Sequence, residues 1–207
     1  MLADQTLQAF LDELAGDVPA PGGGSAAAAA GAMGAALVSM VCNLTIGREK
    51  FAAVEEKMKA ILAKSEGLRT RLTKMMQEDV AAFNTVMAAY RMPKSTPEEK
   101  AARTAAIQAG AKKATLVPLT TARACAEVIE LARPAAEMGN PNVASDAGVS
   151  VLCAQAGLKG AALNVLINLG MIKDQDFVSE RQAELDEILA VHDALANEIY
   201  ELVNGKL

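Results

Sequence analysis

Between Asp17 and Arg48 the chain carries no charged side chain, and most of the residues there are Ala, Gly or Ser. The stretch opens on Val18-Pro19-Ala20-Pro21-Gly22-Gly23-Gly24-Ser25 and runs through a series of alanines to Asn43 and Gly47. A segment this small in bulk suits a phosphate-cradling glycine loop, a membrane span, or a helix packed too closely for larger side chains. A membrane helix relies on about 20 predominantly Leu-, Ile-, Phe- or Val-like residues. This stretch is only weakly hydrophobic, starts with prolines and contains Asn43, so no membrane span is expected. No Lys-Ser or Lys-Thr follows the glycines, and they have neither the spacing nor the preceding strand of a dinucleotide fingerprint. What remains is a close-packed helix, with Ser25 predicted as its N-cap and an end near Ile46 at Gly47. Because it is apolar all round, it is expected to be buried on most sides.

The rest of the chain supports that reading. Hydrophobic residues make up 52% but aromatic ones only 3%, with no Trp and ten Met, so Ala, Leu, Val, Ile and Met must fill the core. That composition favours helix packing over sheets, which prefer aromatic and β-branched residues. Asp4 is a predicted N-cap for a short helix through Leu7, Phe10, Leu11 and Leu14, ending at Gly16. From about Phe51 to Tyr90, Val54, Met58, Leu68, Leu72, Met76, Val80, Phe83 and Tyr90 belong to an apolar series recurring at steps of three and four, an amphipathic helix. Ser95-Thr96-Pro97-Glu98-Glu99 marks the next helix start, with an end near Leu131 and a kink or break at Pro118. A second apolar helix is predicted from about Ser145 to Leu169, and a last amphipathic one from about Asp174 to Val203. No segment shows a period of two. The expected fold is one all-α domain over residues 1–207, a bundle with two buried Gly/Ala-rich helices, for which a homodimer interface would supply further burial.

The net charge of −5 gives no electrostatic reason to expect nucleic acid. Cys42, Cys125 and Cys153 are odd in number and set in apolar context, which predicts buried thiols in a cytoplasmic protein rather than a disulfide framework. The N-terminus has Asp4, Gln5 and Thr6 where a signal peptide needs a basic and then an apolar region.

Few residues stand out for chemistry. Asp79 falls on the inner stripe of the helix ending at Tyr90, three residues after Met76 and four before Phe83, so its carboxylate must be paired, hydrogen-bonded or functional. Asn140, Asn142, Ser145 and Asp146 cluster where the second apolar helix begins; one N-cap explains some of them but not all. Asn164 and Asn168 sit one turn apart on that helix, where core hydrogen bonding and ligand binding are both open. The loop Gly22, Gly23, Gly24, Ser25 reads equally as a connector or as backbone that a ligand approaches closely. His192, the only histidine, has no Cys or acid cluster at metal spacing and reads as a core or interface residue. Neither a metal nor a cofactor is expected.

Taken together, Pro19 to Ser25, Glu78-Asp79-Val80-Ala81-Ala82-Phe83, Asn140 to Val149 and Ala162 to Leu169 resemble the cyclodeaminase domain of the formiminotransferase-cyclodeaminase family, in its stand-alone bacterial form. The resemblance implies an all-helical, dimeric enzyme acting on tetrahydrofolate. Its members close 5-formimino-tetrahydrofolate to 5,10-methenyl-tetrahydrofolate with loss of ammonia, or interconvert the methenyl and 10-formyl forms with water. A non-catalytic folate-binding or scaffold protein that kept the fold is the alternative. On the enzyme reading Asp79 and Asp146 are the catalytic candidates, one for proton transfer or cation stabilisation and one to hold the pterin edge. Gly22, Gly23, Gly24, Ser25, Asn140, Asn142, Ser145 and Asn164 are expected to bind substrate. Arg48, Lys50 or Lys159 are expected to meet a polyglutamate tail.

Overall fold

The computed structural model describes residues 2–207, and six α-helices with no strand among those residues make up the fold. They are α1 (Leu7–Leu14), α2 (Gly23–Asn43), α3 (Glu55–Tyr90), α4 (Pro97–Met138), α5 (Ala144–Leu169) and α6 (Gln175–Asn204). From α2 to α6 successive helices run up and down. The pairs Ser25–Met76 and Ser39–Ser65 align α2 with α3, Met75–Thr121 and Arg71–Glu127 align α3 with α4, and Gln155–Asn197 and Lys159–Asp193 align α5 with α6. α4 touches α2, α3, α5 and α6, and α2 packs most extensively on α5.

Small residues set the α2–α5 spacing. A methyl group on Gly34 would stand 2.8 Å from the Ser150 carbonyl oxygen, and one on Gly157 would stand 2.8 Å from that of Ala27 and 2.9 Å from Cys125 Sγ. Backbone meets backbone at this crossing, so any side chain there must push the helix axes apart, at a cost of about 1–3 kcal/mol or more. The Cys125 thiol is pushed up to about 12 by burial, as fits an inert packing group. Leu72, Leu119, Ile129, Leu158, Leu185 and Ile199 fill the core around it, each less than 2% exposed. Cys42 is buried as well, whereas Cys153 is only partly covered.

The two apolar helices are not buried all round. α2 leaves Met33 and Met40 exposed, and α5 leaves Val149, Leu152, Leu163, Leu166 and Ile167 exposed. Both are long and apolar enough to cross a membrane by length and composition, with 56% and 44% of their apolar windows buried within the fold.

Several expected boundaries shift. Thr6, not Asp4, caps α1, its side chain accepting from the Ala9 N–H, while Asp4 ends a short 3-10 turn. Gly22 caps α2 with backbone alone, and Ser25 lies within the first turn. α2 ends at Asn43, and Gly47, at φ 73°, turns the chain in the left-handed region. Residues Glu49–Val54 form a 3-10 segment before α3 begins. Thr96 and Glu99 build a reciprocal capping box at the start of α4.

Pro118 does not break α4, which continues past Leu131 and through Pro134 to Met138. Pro118 has no N–H for the carbonyl of Ala114, one turn back. Asn168 of α5 supplies the missing donor, its Nδ2 lying 2.8 Å from the Ala114 oxygen. A proline that reads as a breaker in one helix is accommodated by an amide from another.

Candidate active site

A cavity of about 340 Å³ opens where the Pro19–Gly24 loop, the second half of α3 and the C-terminal half of α5 converge. Asp79 stands in its wall with Gly22, Gly23, Gly24 and Asn164, and Phe83, Val86, Met87, Tyr90 and Ile167 line the apolar remainder. The polar groups are few and come from three elements, the ordinary make-up of a small-molecule site.

The glycine loop positions the carboxyl group. A Cβ on Gly24 would fall on the Asp79 carboxyl group, 2.8 Å from Oδ2, so only glycine lets the first turn of α2 seat that side chain. The seat lies at the first turn of α2, at the positive end of the helix dipole, which favours the carboxylate form of Asp79. Ser25 itself is fully buried; its Oγ lies 2.9 Å from the Met76 carbonyl oxygen and 3.1 Å from Asp79 Oδ2. One hydroxyl proton faces two acceptors, so when it goes to Met76 the contact with Asp79 becomes a hydrogen bond only if Asp79 carries the proton. Burial raises the Asp79 carboxyl above its ordinary value, with the Ser25 bonds acting in the opposite direction. The site can therefore hold Asp79 in either protonation state, the property required of a group that accepts and returns a proton.

Asn164 donates from Nδ2 to the Gly160 carbonyl oxygen at 2.8 Å, and its Oδ1 accepts no hydrogen bond among the described residues. Asn168 also borders the cavity, but its donor is held by Ala114.

Not all the predicted residues come together. Gly22, Gly23, Gly24, Ser25, Asp79 and Asn164 do. Asn140, Asn142, Ser145 and Asp146 lie at the other end of α5, about 27 Å along the helix from Asn164. The Asn140 side chain ties the end of α2 to the turn before α5, donating to the Leu44 carbonyl at 3.1 Å and accepting from the Asn142 N–H at 3.1 Å. Its own N–H donates to Thr45 Oγ1 at 2.9 Å. Asn142 and Ser145 are exposed and Asp146 is half-buried in the first turn of α5. Arg48 and Lys50, beyond the C-terminal end of α2, are at that far end too, and Lys159 pairs with Asp193 at 2.7 Å. His192 has its ring nitrogens 2.9 Å from the Ile188 carbonyl and 3.0 Å from Glu130, joining α6 to α4.

Pro19, Ala20, Met87, Tyr90 and Ile167 were not singled out by sequence reasoning as cavity residues, because Met87 and Tyr90 continue the stripe that packs the core and periodicity alone does not separate a core wall from a cavity wall. No group of three or more His, Cys, Asp or Glu among the described residues is placed to hold a metal ion.

The sequence matches the family described as Formiminotransferase-cyclodeaminase over residues 6–187. It is 56% identical over 207 residues to the methenyltetrahydrofolate cyclohydrolase of Methylorubrum extorquens, covering 100% of both chains. It is 36% identical over 188 residues to the formimidoyltransferase-cyclodeaminase of Rattus norvegicus, covering 91% of this chain but 35% of that protein. The crystal structure of formiminotetrahydrofolate cyclodeaminase from Thermotoga maritima superposes with a TM-score of 0.85 at 31% identity, covering 100% of this chain and 98% of that one.

Proposed function

The chain belongs to the formiminotransferase-cyclodeaminase family, and from that premise we propose that it is a cytoplasmic methenyltetrahydrofolate cyclohydrolase with Asp79 as its proton-transfer group. The observation that carries the assignment is the Asp79 carboxyl, raised by burial and seated on Gly24 and Ser25 in a cavity with few other polar groups. The full-length identity to the Methylorubrum enzyme favours water as the second reactant.

The substrate is a cation in which one carbon bridges N5 and N10 of tetrahydrofolate. Water adds to that carbon and gives one proton to Asp79, leaving a neutral carbinol. Asp79 returns the proton to N5 as the carbon–N5 bond breaks, and the hydroxyl proton leaves to solvent as the formyl carbonyl forms on N10. The balance is one water consumed and one proton released. Asn164 orients the ring system, and the Gly22–Ser25 backbone borders it closely. No cofactor takes part in these steps.

A second reading, cyclodeamination, is favoured by the names of the Thermotoga and rat proteins. It passes through the same carbon with an amino group in place of the hydroxyl: N10 adds to the formimino carbon and gives its proton to Asp79, and Asp79 passes the proton to the amino group, which leaves as ammonia from the protonated formimino substrate.

The proposal includes a homodimer. Its support is the exposed apolar side of α2 and α5, where Ile167 belongs both to that surface and to the cavity wall. In a two-fold pair with antiparallel α5 helices, the turn carrying Asn140, Asn142, Ser145 and Asp146 stands over the cavity of the other copy, and Asp146 of the partner subunit holds the pterin's guanidine-like edge.

The test follows loss of near-ultraviolet absorbance of methenyl-tetrahydrofolate, alongside ammonia release from the formimino form. Asp79→Asn is expected to remain folded and lose at least about 100-fold in turnover, and Asp146→Asn to lose substrate binding. Mixing the two variants is expected to restore part of the activity through hybrid dimers. Near wild-type rates in both variants sink the assignment; no recovery on mixing sinks the shared site.

A further inference from the structure

A second cavity, also about 340 Å³, adjoins the first. Pro19, Ala20, Phe83 and Met87 line both, and beyond them the second cavity reaches Asn84 and Arg91. Arg91 is exposed at the C-cap of α3, where the negative end of the helix dipole favours a cation. Its guanidinium makes no ion pair or side-chain hydrogen bond among the described residues, unlike neighbouring Arg103. That side chain donates to the Tyr90 carbonyl at 3.1 and 3.0 Å and lies 5.5 Å over the Tyr90 ring. The two cavities, joined at shared walls, thus place a partly buried carboxyl group at one side and an unengaged guanidinium at the other.

We infer that this side cavity is the subsite for the anionic aminobenzoyl-glutamate arm of the substrate, with Arg91 pairing to a glutamate carboxylate. The inference rests on the folate reading of the main cavity. Asp79 and Arg91 lie 12 residues apart on one helix, about 18 Å along its axis, a span that the arginine side chain shortens toward the length of such an arm. Phe83, Met87 and Pro19 offer the apolar walls that a flat aryl group fills, and a planar guanidinium matches a carboxylate bidentately. Within one chain Arg91 is the cation at this cavity: Arg48 and Lys50 lie at the other end of the α2–α5 pair, and Lys159 is paired to Asp193.

The subsite is tested without turnover by calorimetric titration with p-aminobenzoyl-triglutamate. The wild-type protein is expected to bind it, Arg91→Ala to bind about tenfold more weakly, Arg91→Glu more weakly still, and Arg91→Lys to recover part of the loss. In kinetics, the kcat/KM advantage of triglutamylated methenyl-tetrahydrofolate over a glutamate-free analogue is expected to shrink about tenfold in Arg91→Ala, through KM rather than kcat. Circular dichroism checks that the variants are folded. Equal affinity of the wild-type, Ala and Glu proteins for the probe, or no binding to the wild type, overturns the subsite. A wild-type protein that binds the probe in an Arg91-dependent way yet turns over neither folate keeps the subsite and removes the proposed chemistry.

Discussion

The two ends of the α2–α5 pair carry the same kinds of residue in different physical states. At the cavity end, glycines and Ser25 open α2, and a carboxyl group from α3 is held on that first turn, partly stripped of water. At the other end, Asn140 and Asn142 precede α5, and Asp146 lies in its first turn, but the Asn140 amide and N–H are all taken up by Leu44, Thr45 and Asn142, and Ser145 faces solvent. Within one chain, the first arrangement leaves a titratable group in a cavity, while the second joins two helix ends. Helix-start chemistry is therefore a poor guide to function until it is known what the polar groups are bonded to.

Three experiments probe that contrast, beginning with the largest expected effect. Gly24→Ala displaces the Asp79 carboxyl group and is expected to lower turnover by about 100-fold or more with helical content retained; wild-type turnover in that variant removes the reason for the glycine. At the opposite end, Asn140→Ala removes the side-chain bond to Leu44 that ties the end of α2 to the turn and the one from Asn142 that closes the turn itself, and is expected to lower unfolding free energy by about 1–3 kcal/mol in a denaturant titration. Unchanged stability would mean that the turn is not held by those bonds, and the contrast would fail. The smallest effect is in pH dependence. The Asp79 carboxyl is raised in the folded state, so the native protein binds its proton more tightly than the unfolded chain does. Stability from this group is then full below the ordinary carboxylate value and is lost as pH rises through the raised native one. Asp79→Asn should consequently gain stability relative to wild type as pH rises across that window in parallel thermal melts. A difference that is flat with pH would show that burial does not perturb the group.

Much of this was legible in the sequence. The stripe of α3 placed Asp79 among apolar neighbours, the run Ser95 to Glu99 marked the start of α4, and both apolar helices were found within a few residues of their ends. What could not be read depended on partners remote in sequence. Ser25 looks like a cap because serines commonly are, yet its hydroxyl answers to Met76 and Asp79, more than fifty positions away. Tyr90 and Met87 continue a core stripe past the point where the core stops and the cavity begins. The outward sides of α2 and α5 look as buried in sequence as the inward ones, because apolar composition does not say which surface another molecule covers.

The bond from Asn168 to the Ala114 carbonyl has a further consequence. Ordinary helices hold their hydrogen bonds privately, so two neighbours can slip past one another by small steps while each keeps its own ladder intact. By withholding one donor, Pro118 makes α4 depend on α5 at a single level, and that level borders the cavity. The proline acts as an indexing pin: it fixes how far along α4 the asparagine-bearing turn of α5 must stop, and with it the height at which Asn164 stands opposite Asp79.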